Sequence, residues 1–159
     1  MTEPTKESPS QETTELHRRF AAEAFGETWR LLDAARLTRE EEETMMASTF
    51  AQRHHWYQAG TERNRAIADW QVSRVAVVLG YADLARRFGE RSLEIATEHG
   101  LDAFVRGFAH EAIARAAAEV DDVETFIEHL ELAKAALAEV DEDEERETLA
   151  ADLAEMSEK

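Results

Sequence analysis

The chain has 159 residues, a formal net charge of −17 at pH 7 and no cysteine. Its length fits one ordinary domain, and the lack of cysteine excludes disulfide frameworks and thiolate chemistry. The negative charge disfavours nucleic-acid binding, because the phosphate backbone is itself a polyanion. No stretch approaches the ~18 apolar residues of a membrane span, and the polar N-terminus does not resemble a secretory signal. We therefore expect a cytoplasmic protein with neither nucleic acid nor membrane as partner.

Proline, the usual breaker of helices, occurs only at Pro4 and Pro9. Residues 1–11 are polar and rich in Pro, Ser and Thr, a composition that predicts a disordered tail. Apolar residues then recur at spacings of three and four, which is the period of an amphipathic helix. We therefore expect a single helical domain at 12–159.

Capping residues divide this domain into seven predicted helices. The first spans about 12–36 and has an apolar stripe that includes Leu16 and Phe20. The later boundaries are marked by a capping box at Thr38 and Glu41, by Gly60 with Thr61, by Gly80, by His99 with Gly100, by Asp121 or Asp122, and by a second capping box at Asp141 and Glu144. Because the connections are short, we expect three antiparallel hairpins followed by a terminal helix.

Two segments of the chain align with each other, Gly80–Leu93 and Asp121–Lys134, and they begin 41 residues apart. Each follows one amphipathic helix and opens another. A repeated helix pair is typical of a helical solenoid, in which every unit buries its apolar face against its neighbours. The repeat predicts an all-α protein and favours binding over catalysis.

The units at about 66–99 and 107–140 resemble tetratricopeptide repeats. The small and turn residues of that pattern correspond to Ser73, Gly80, Ala85 and Ser92 in the first unit and to Ala114, Asp121, Phe126 and Ala133 in the second. The resemblance implies a right-handed superhelix of α-hairpins that serves as a protein- or peptide-interaction module. The chain departs from the pattern at Phe126, in the missing closing proline, and in a spacing longer than the usual length of about 34 residues.

The middle of the chain also resembles a widespread bacterial family of proteins of about this length. The resemblance is carried by His55, Trp56, Gly60, Thr61, Asn64, Trp70, Gln71, Ser73, Arg74, Val75, Leu79 and Gly80. That family is described only as repeat-like, so the resemblance supports the fold and implies no activity.

In the tetratricopeptide register, the first helix of each pair lines a concave groove. The groove-facing positions would be Ile67, Trp70, Arg74 and Val78 in the first unit and Phe108, Glu111, Arg115 and Glu119 in the second. An aromatic side chain beside arginines and acids can anchor a peptide end or a charged ligand. The predicted binding residues are His55, Asn64, Trp70, Gln71, Arg74, Glu111 and Arg115.

The same residues allow a purely structural interpretation. Trp70 can be a core residue between hairpins, and Arg74 can form an ion pair with Glu111. A basic stretch between Arg53 and Arg91, with seven arginines and four acids, can attract an anionic ligand or simply pair with neighbouring carboxylates.

No motif predicts an enzyme, a cofactor or a metal site. His110 and Glu111 begin like a zinc-protease helix motif, but Ala114 stands where the second histidine is required. The adjacent His54 and His55 diverge by about 100° on a helix, so they are poorly placed to share one metal ion.

Two alternatives to a peptide-binding module remain at this level. One is a sensor domain for a small molecule, such as an anionic metabolite, or for a metal, built around Trp70 and Arg74. The other is a homodimer formed through the N-terminal hairpin, with Phe25 and Trp29 as contacts, because an uncapped end of a short helical array can be buried by a second copy.

Overall fold

The computed structural model describes residues 8–158, which contain seven α-helices and no strand. The helices are α1 (Gln11–Leu32), α2 (Arg39–Ala59), α3 (Glu62–Leu79), α4 (Ala82–Glu98), α5 (Ala103–Ala118), α6 (Val123–Ala138) and α7 (Asp143–Ser157). The all-helical fold predicted from the sequence is confirmed. The predicted tail lies largely outside the described residues, and its last residue, Gln11, is the first residue of α1.

Most helix ends lie where capping chemistry places them. Thr38 with Glu41 and Thr61 with Asn64 each form a complete capping box, at the starts of α2 and α3. The capping box predicted for α7 at Asp141 and Glu144 is wrong. Glu142 is the N-cap instead, and its carboxylate accepts hydrogen bonds from the backbone N–H groups of the second and third residues of α7.

The first helix differs most from its prediction. It ends at Leu32 rather than near residue 36, and Leu16 and Phe20 are 40% and 41% exposed. The buried face of α1 instead includes Ala21 and Leu31. Within the described residues α1 packs only against α2 and α3, so only part of its apolar surface finds a partner.

The helices form two layers. Each odd-numbered helix contacts the next odd-numbered helix, from α1 through α3 and α5 to α7. Among residues 8–158 the backbone of each even-numbered helix lies close only to the odd-numbered helices before and after it. Side chains also join α2 to α4, where the ring centres of Phe50 and Phe88 lie 5.6 Å apart. The odd-numbered helices therefore make up one continuous layer, and the even-numbered helices cover one side of it.

The repeat seen in the sequence is also a repeat of structure. The pair α5 and α6 begins 41 residues after the pair α3 and α4, counted from Glu62 to Ala103 and from Ala82 to Val123. Gly80 directly follows α3 and Asp121 lies in the turn after α5, with φ angles of 82° and 56°. This left-handed conformation reverses the chain and satisfies the last carbonyl groups of the helix.

Small residues allow close packing within and between the pairs. Ser73 donates a hydrogen bond to the Ala85 carbonyl oxygen at 2.7 Å, and Ser92 donates to that of Ala66 at 2.8 Å. Both serine side chains are buried, so these bonds satisfy hydroxyl groups that would otherwise destabilise the core. Ala114 and Ala133, which the repeat pattern also singled out, have no exposed surface.

Candidate binding groove

All four odd-numbered helices contribute side chains to one cavity of about 390 Å³. The larger side chains of its wall are Phe25 and Trp29 of α1, Ile67 and Trp70 of α3, Phe104 and Phe108 of α5, and Thr148 and Asp152 of α7. Phe25 and Trp29, the contacts expected for a homodimer, thus line the cavity, and the dimer itself stays a prediction. Mostly apolar walls with a few polar groups are typical of ligand sites.

A series of aromatic rings runs through the cavity from α1 to α5. The ring centres of Trp29 and Trp70 lie 5.6 Å apart, those of Trp70 and Phe108 5.1 Å, and those of Phe108 and Phe104 4.9 Å. The last two pairs pack edge to face, which aligns the positive edge of one ring with the negative face of the other. Trp70 fits both interpretations drawn from the sequence, since it lines the cavity as a binding residue would and is only 7% exposed, as a core residue would be.

Beneath Trp70 lies a buried cluster of charges. The indole Nε1–H of Trp70 donates to Glu111 Oε2 at 2.8 Å. The other carboxylate oxygen of Glu111 accepts a hydrogen bond from Arg115 Nε and lies 3.5 Å from Arg74 Nη1, an ion pair without a hydrogen bond. Glu111 has no exposed surface, and a buried carboxylate is tolerated only when it is paired in this way.

In this cluster the two arginines predicted to bind a ligand pair with a carboxylate of the protein itself. Arg74 and Arg115 occupy equivalent positions of the two repeats, and they share the single carboxylate of Glu111. Arg74 Nη1 and Arg115 Nη2 are themselves buried, and within the described residues neither atom donates a hydrogen bond. The structural ion pair, which the sequence left open, is therefore present between Arg74 and Glu111.

Among the described residues, Asp152 is the one acidic side chain of the cavity wall. Burial, together with the nearby Glu111, raises its pKa above the ordinary value, while Arg74 and Arg115 act in the opposite direction. Within residues 8–158 no hydrogen-bond donor pairs with its carboxylate. No sequence signal marks this residue, because Asp152 is one of many acids near the C-terminus and only the packing of α7 places it in the cavity.

The remaining predicted residues lie away from the cavity. Asn64 closes the capping box at the start of α3. Gln71 is fully buried, where it donates to the Phe25 carbonyl oxygen at 3.1 Å and accepts from Thr49 at 3.3 Å. His55 lies on α2, where its ring faces His17 of α1. The structure thus brings Trp70, Arg74, Glu111 and Arg115 together, and it separates His55, Asn64 and Gln71 from them.

Four of the six histidines form two pairs, each between the helices of one hairpin. His17 Nδ1 lies 2.8 Å from His55 Nδ1, and His110 Nδ1 lies 3.0 Å from His129 Nδ1. Such a contact requires at least one neutral ring, because two imidazolium groups both donate. Burial lowers the pKa of His55, and burial with the neighbouring His129 lowers the pKa of His110 to about 4.

We expect the protein to lose stability in mild acid because of His110. Its pKa in the folded state is lower than the ordinary value of 6.5, so the unfolded chain binds more protons. The stabilisation is complete above pH 6.5 and is lost as the pH falls toward 4. Urea unfolding at pH 7 and pH 5 should show a decrease of about 1–2 kcal/mol that is due to His110. His110→Asn removes this contribution and leaves those of His55 and His129, whose pKa values are also lowered. An equal decrease in both proteins would contradict this assignment.

Two kinds of site do not occur within the described residues. No three His, Cys, Asp or Glu side chains of residues 8–158 come close enough together to hold a metal ion. None of the helices in that range is long and apolar enough to cross a membrane. Comparison with family models, with curated proteins and with solved structures gave no match to this chain. The basis for a function is therefore the chemistry of the cavity itself.

Proposed function

We propose that this protein is a non-enzymatic interaction module of tetratricopeptide-like type, which binds a segment of a partner protein in a groove along its odd-numbered helices. In this proposal the hairpins form a short right-handed superhelix and α7 closes its end. The observation that carries the proposal is the aromatic cavity, to which all four odd-numbered helices contribute.

The alternation of contacts supports the superhelix. In a helical-hairpin array, the first helix of each pair packs on the first helix of the next pair, and the second helices stay on the outer side. The contacts of α1 with α3, of α3 with α5 and of α5 with α7 follow this pattern. The spacing of 41 residues between α3 and α5 and between α4 and α6 is consistent with such an array.

A second hollow beside the first favours an extended occupant. It has a volume of about 360 Å³ and is lined by residues of α3, α5, α6 and α7, among them Val77, Arg115 and Phe126. Trp70 lines the first hollow and Val77 the second, so the two lie about two helical turns, or roughly 10 Å, apart. A peptide of three or four extended residues spans that distance.

The test is to fill the cavity from its exposed side. Thr148→Trp places a large ring at the cavity wall from an exposed position on α7. Ala151→Trp adds the same ring to an exposed position of the same helix that does not line the cavity. Peptides would be selected from a displayed library of random 12-residue sequences on the unmodified protein, and their binding to both variants measured.

We expect the selected peptides to bind Thr148→Trp at least about tenfold more weakly than the unmodified protein, because the ring occupies the pocket of an anchoring side chain. Ala151→Trp should bind them normally. Selection of no peptides, or peptides that bind both variants equally well, would show that the cavity is not a peptide site.

A small-molecule sensor is the second candidate, and the cavity volume is the observation that favours it. About 390 Å³ lies within the range of small-ligand pockets. An anionic metabolite is less well suited than a neutral or cationic aromatic one, because Arg74 and Arg115 already pair with Glu111. A ligand of this kind would raise the melting temperature of the unmodified protein and of Ala151→Trp but not that of Thr148→Trp.

A further inference from the structure

Asp152 places a carboxylate in the wall of the groove. Its carboxylate lies in the wall of a cavity whose other large side chains are aromatic or aliphatic, apart from Thr148. It is neither fully exposed nor paired with a donor from residues 8–158. A partly buried carboxylate without a donor is costly, and a cation or a charge-assisted donor is the group that relieves this cost.

We propose that the occupant of the cavity is a basic, apolar peptide segment, in which a large apolar side chain fills the aromatic hollow and an adjacent lysine or arginine pairs with Asp152. This inference rests on the proposed function and specifies the partner of the same groove. Cation and aromatic walls are compatible, because the faces of Trp and Phe rings attract positive charge.

The charges around the groove also favour a basic occupant. The second hollow is bordered by three acids, Glu119, Asp121 and Asp122, and by one base, Arg115. Asp122 lies 3.9 Å from an arginine guanidinium group of α4, whereas Glu119 and Asp121 are exposed. The chain as a whole carries a net charge of −17. A basic segment is therefore attracted over a long range and meets carboxylates at both hollows.

The two arginines of the groove do not reverse this preference. Arg74 Nη1 and Arg115 Nη2 lack hydrogen-bond acceptors, yet both atoms are buried beneath the surface of the groove. A carboxylate or phosphate of a partner cannot reach these two atoms unless the cluster opens, and the side chains of Arg74 and Arg115 are only 19% and 10% exposed. Glu111 lies between them and offsets one of their two positive charges from inside.

The experiment compares three peptide mixtures that differ in one residue. Each mixture has a fixed phenylalanine followed by lysine, norleucine or glutamate, with four further randomised positions and blocked ends. Binding is followed by the fluorescence of Trp29 and Trp70, which both line the cavity. The proteins are the unmodified chain, Asp152→Asn, Thr148→Trp as the variant with a filled cavity, and Glu155→Gln as the control. Glu155 is an exposed acid on the same helix as Asp152.

We expect the lysine mixture to bind about tenfold more tightly than the norleucine mixture to the unmodified protein and to Glu155→Gln, the order expected for one partly buried hydrogen bond to a charged group. Asp152→Asn should lose this preference and keep its affinity for norleucine. Circular dichroism melting curves establish that the variants are folded before binding is measured.

The outcomes separate this inference from the proposed function. Binding that Thr148→Trp abolishes but that shows no preference for lysine, or a preference for glutamate, overturns the cationic partner and leaves the interaction module in place. If none of the mixtures shows binding that Thr148→Trp abolishes, both the cationic partner and the peptide-binding function are overturned.

Discussion

Replacing Glu111 by alanine is expected to lower the free energy of unfolding by about 3–5 kcal/mol, the cost of leaving buried charges without their partner. The substitution removes the acceptor of the Trp70 indole and the carboxylate that Arg74 and Arg115 share. Urea unfolding monitored by circular dichroism measures the change. A loss of this size is a large share of the stability of a small domain.

Two controls separate charge from hydrogen bonding at Glu111. Glu128→Ala removes an exposed acid of α6 and should change the stability by no more than about 0.5 kcal/mol. Glu111→Gln keeps an acceptor for Trp70 but leaves the two arginines without a counter-charge, so its cost should lie between those of the two alanine variants. If Glu111→Ala is as stable as Glu128→Ala, the charge cluster does not hold α3 and α5 together.

The second large effect concerns the attachment of α7 to α5. Leu149 has no exposed surface, and its Cδ2 atom would lie 2.5 Å from a Cβ atom added at Gly107. Leu149→Ala is expected to cost about 2.7–5 kcal/mol because it leaves a cavity. Gly107→Ala is expected to cost about 1–3 kcal/mol because it overpacks the same contact.

The double variant provides the decisive measurement at this contact. An alanine methyl group at position 107 partly fills the space that Leu149→Ala vacates, so the combined cost should be smaller than the sum by at least about 1 kcal/mol. Gly107→Ala combined with Leu31→Ala, in a different core cluster on α1, should be additive within about 0.5 kcal/mol. Additive costs for positions 107 and 149 would mean that α7 does not rest on Gly107.

The helices and most of their ends could be predicted because they depend on short-range chemistry. The capping box at Thr38, the N-cap at Thr61 and the left-handed turn at Gly80 each involve residues within one turn of the helix. The start of α7 was misplaced by one residue because several neighbouring acids can serve as caps. The face of α1 was misjudged because an apolar stripe does not reveal how much of it other helices cover.

The candidate site was only partly accessible from the sequence. The repeat register placed Trp70 and Arg74 opposite Glu111 and Arg115, since equivalent positions of stacked repeats come to lie side by side. It could not decide whether those arginines face a ligand or a buried carboxylate, because burial is a property of the assembled layers.

The sequence by itself determined the all-helical class, the seven helices and the 41-residue repeat, since periodicity and capping are written in neighbouring residues. Only the tertiary structure decided that an aromatic cavity lies along the odd-numbered helices and that Asp152 enters its wall. The cavity depends on how four helices distant in sequence pack together. The carboxylate of Asp152 can serve as a binding group because apolar surface surrounds it and no donor within the described part of the chain pairs with it.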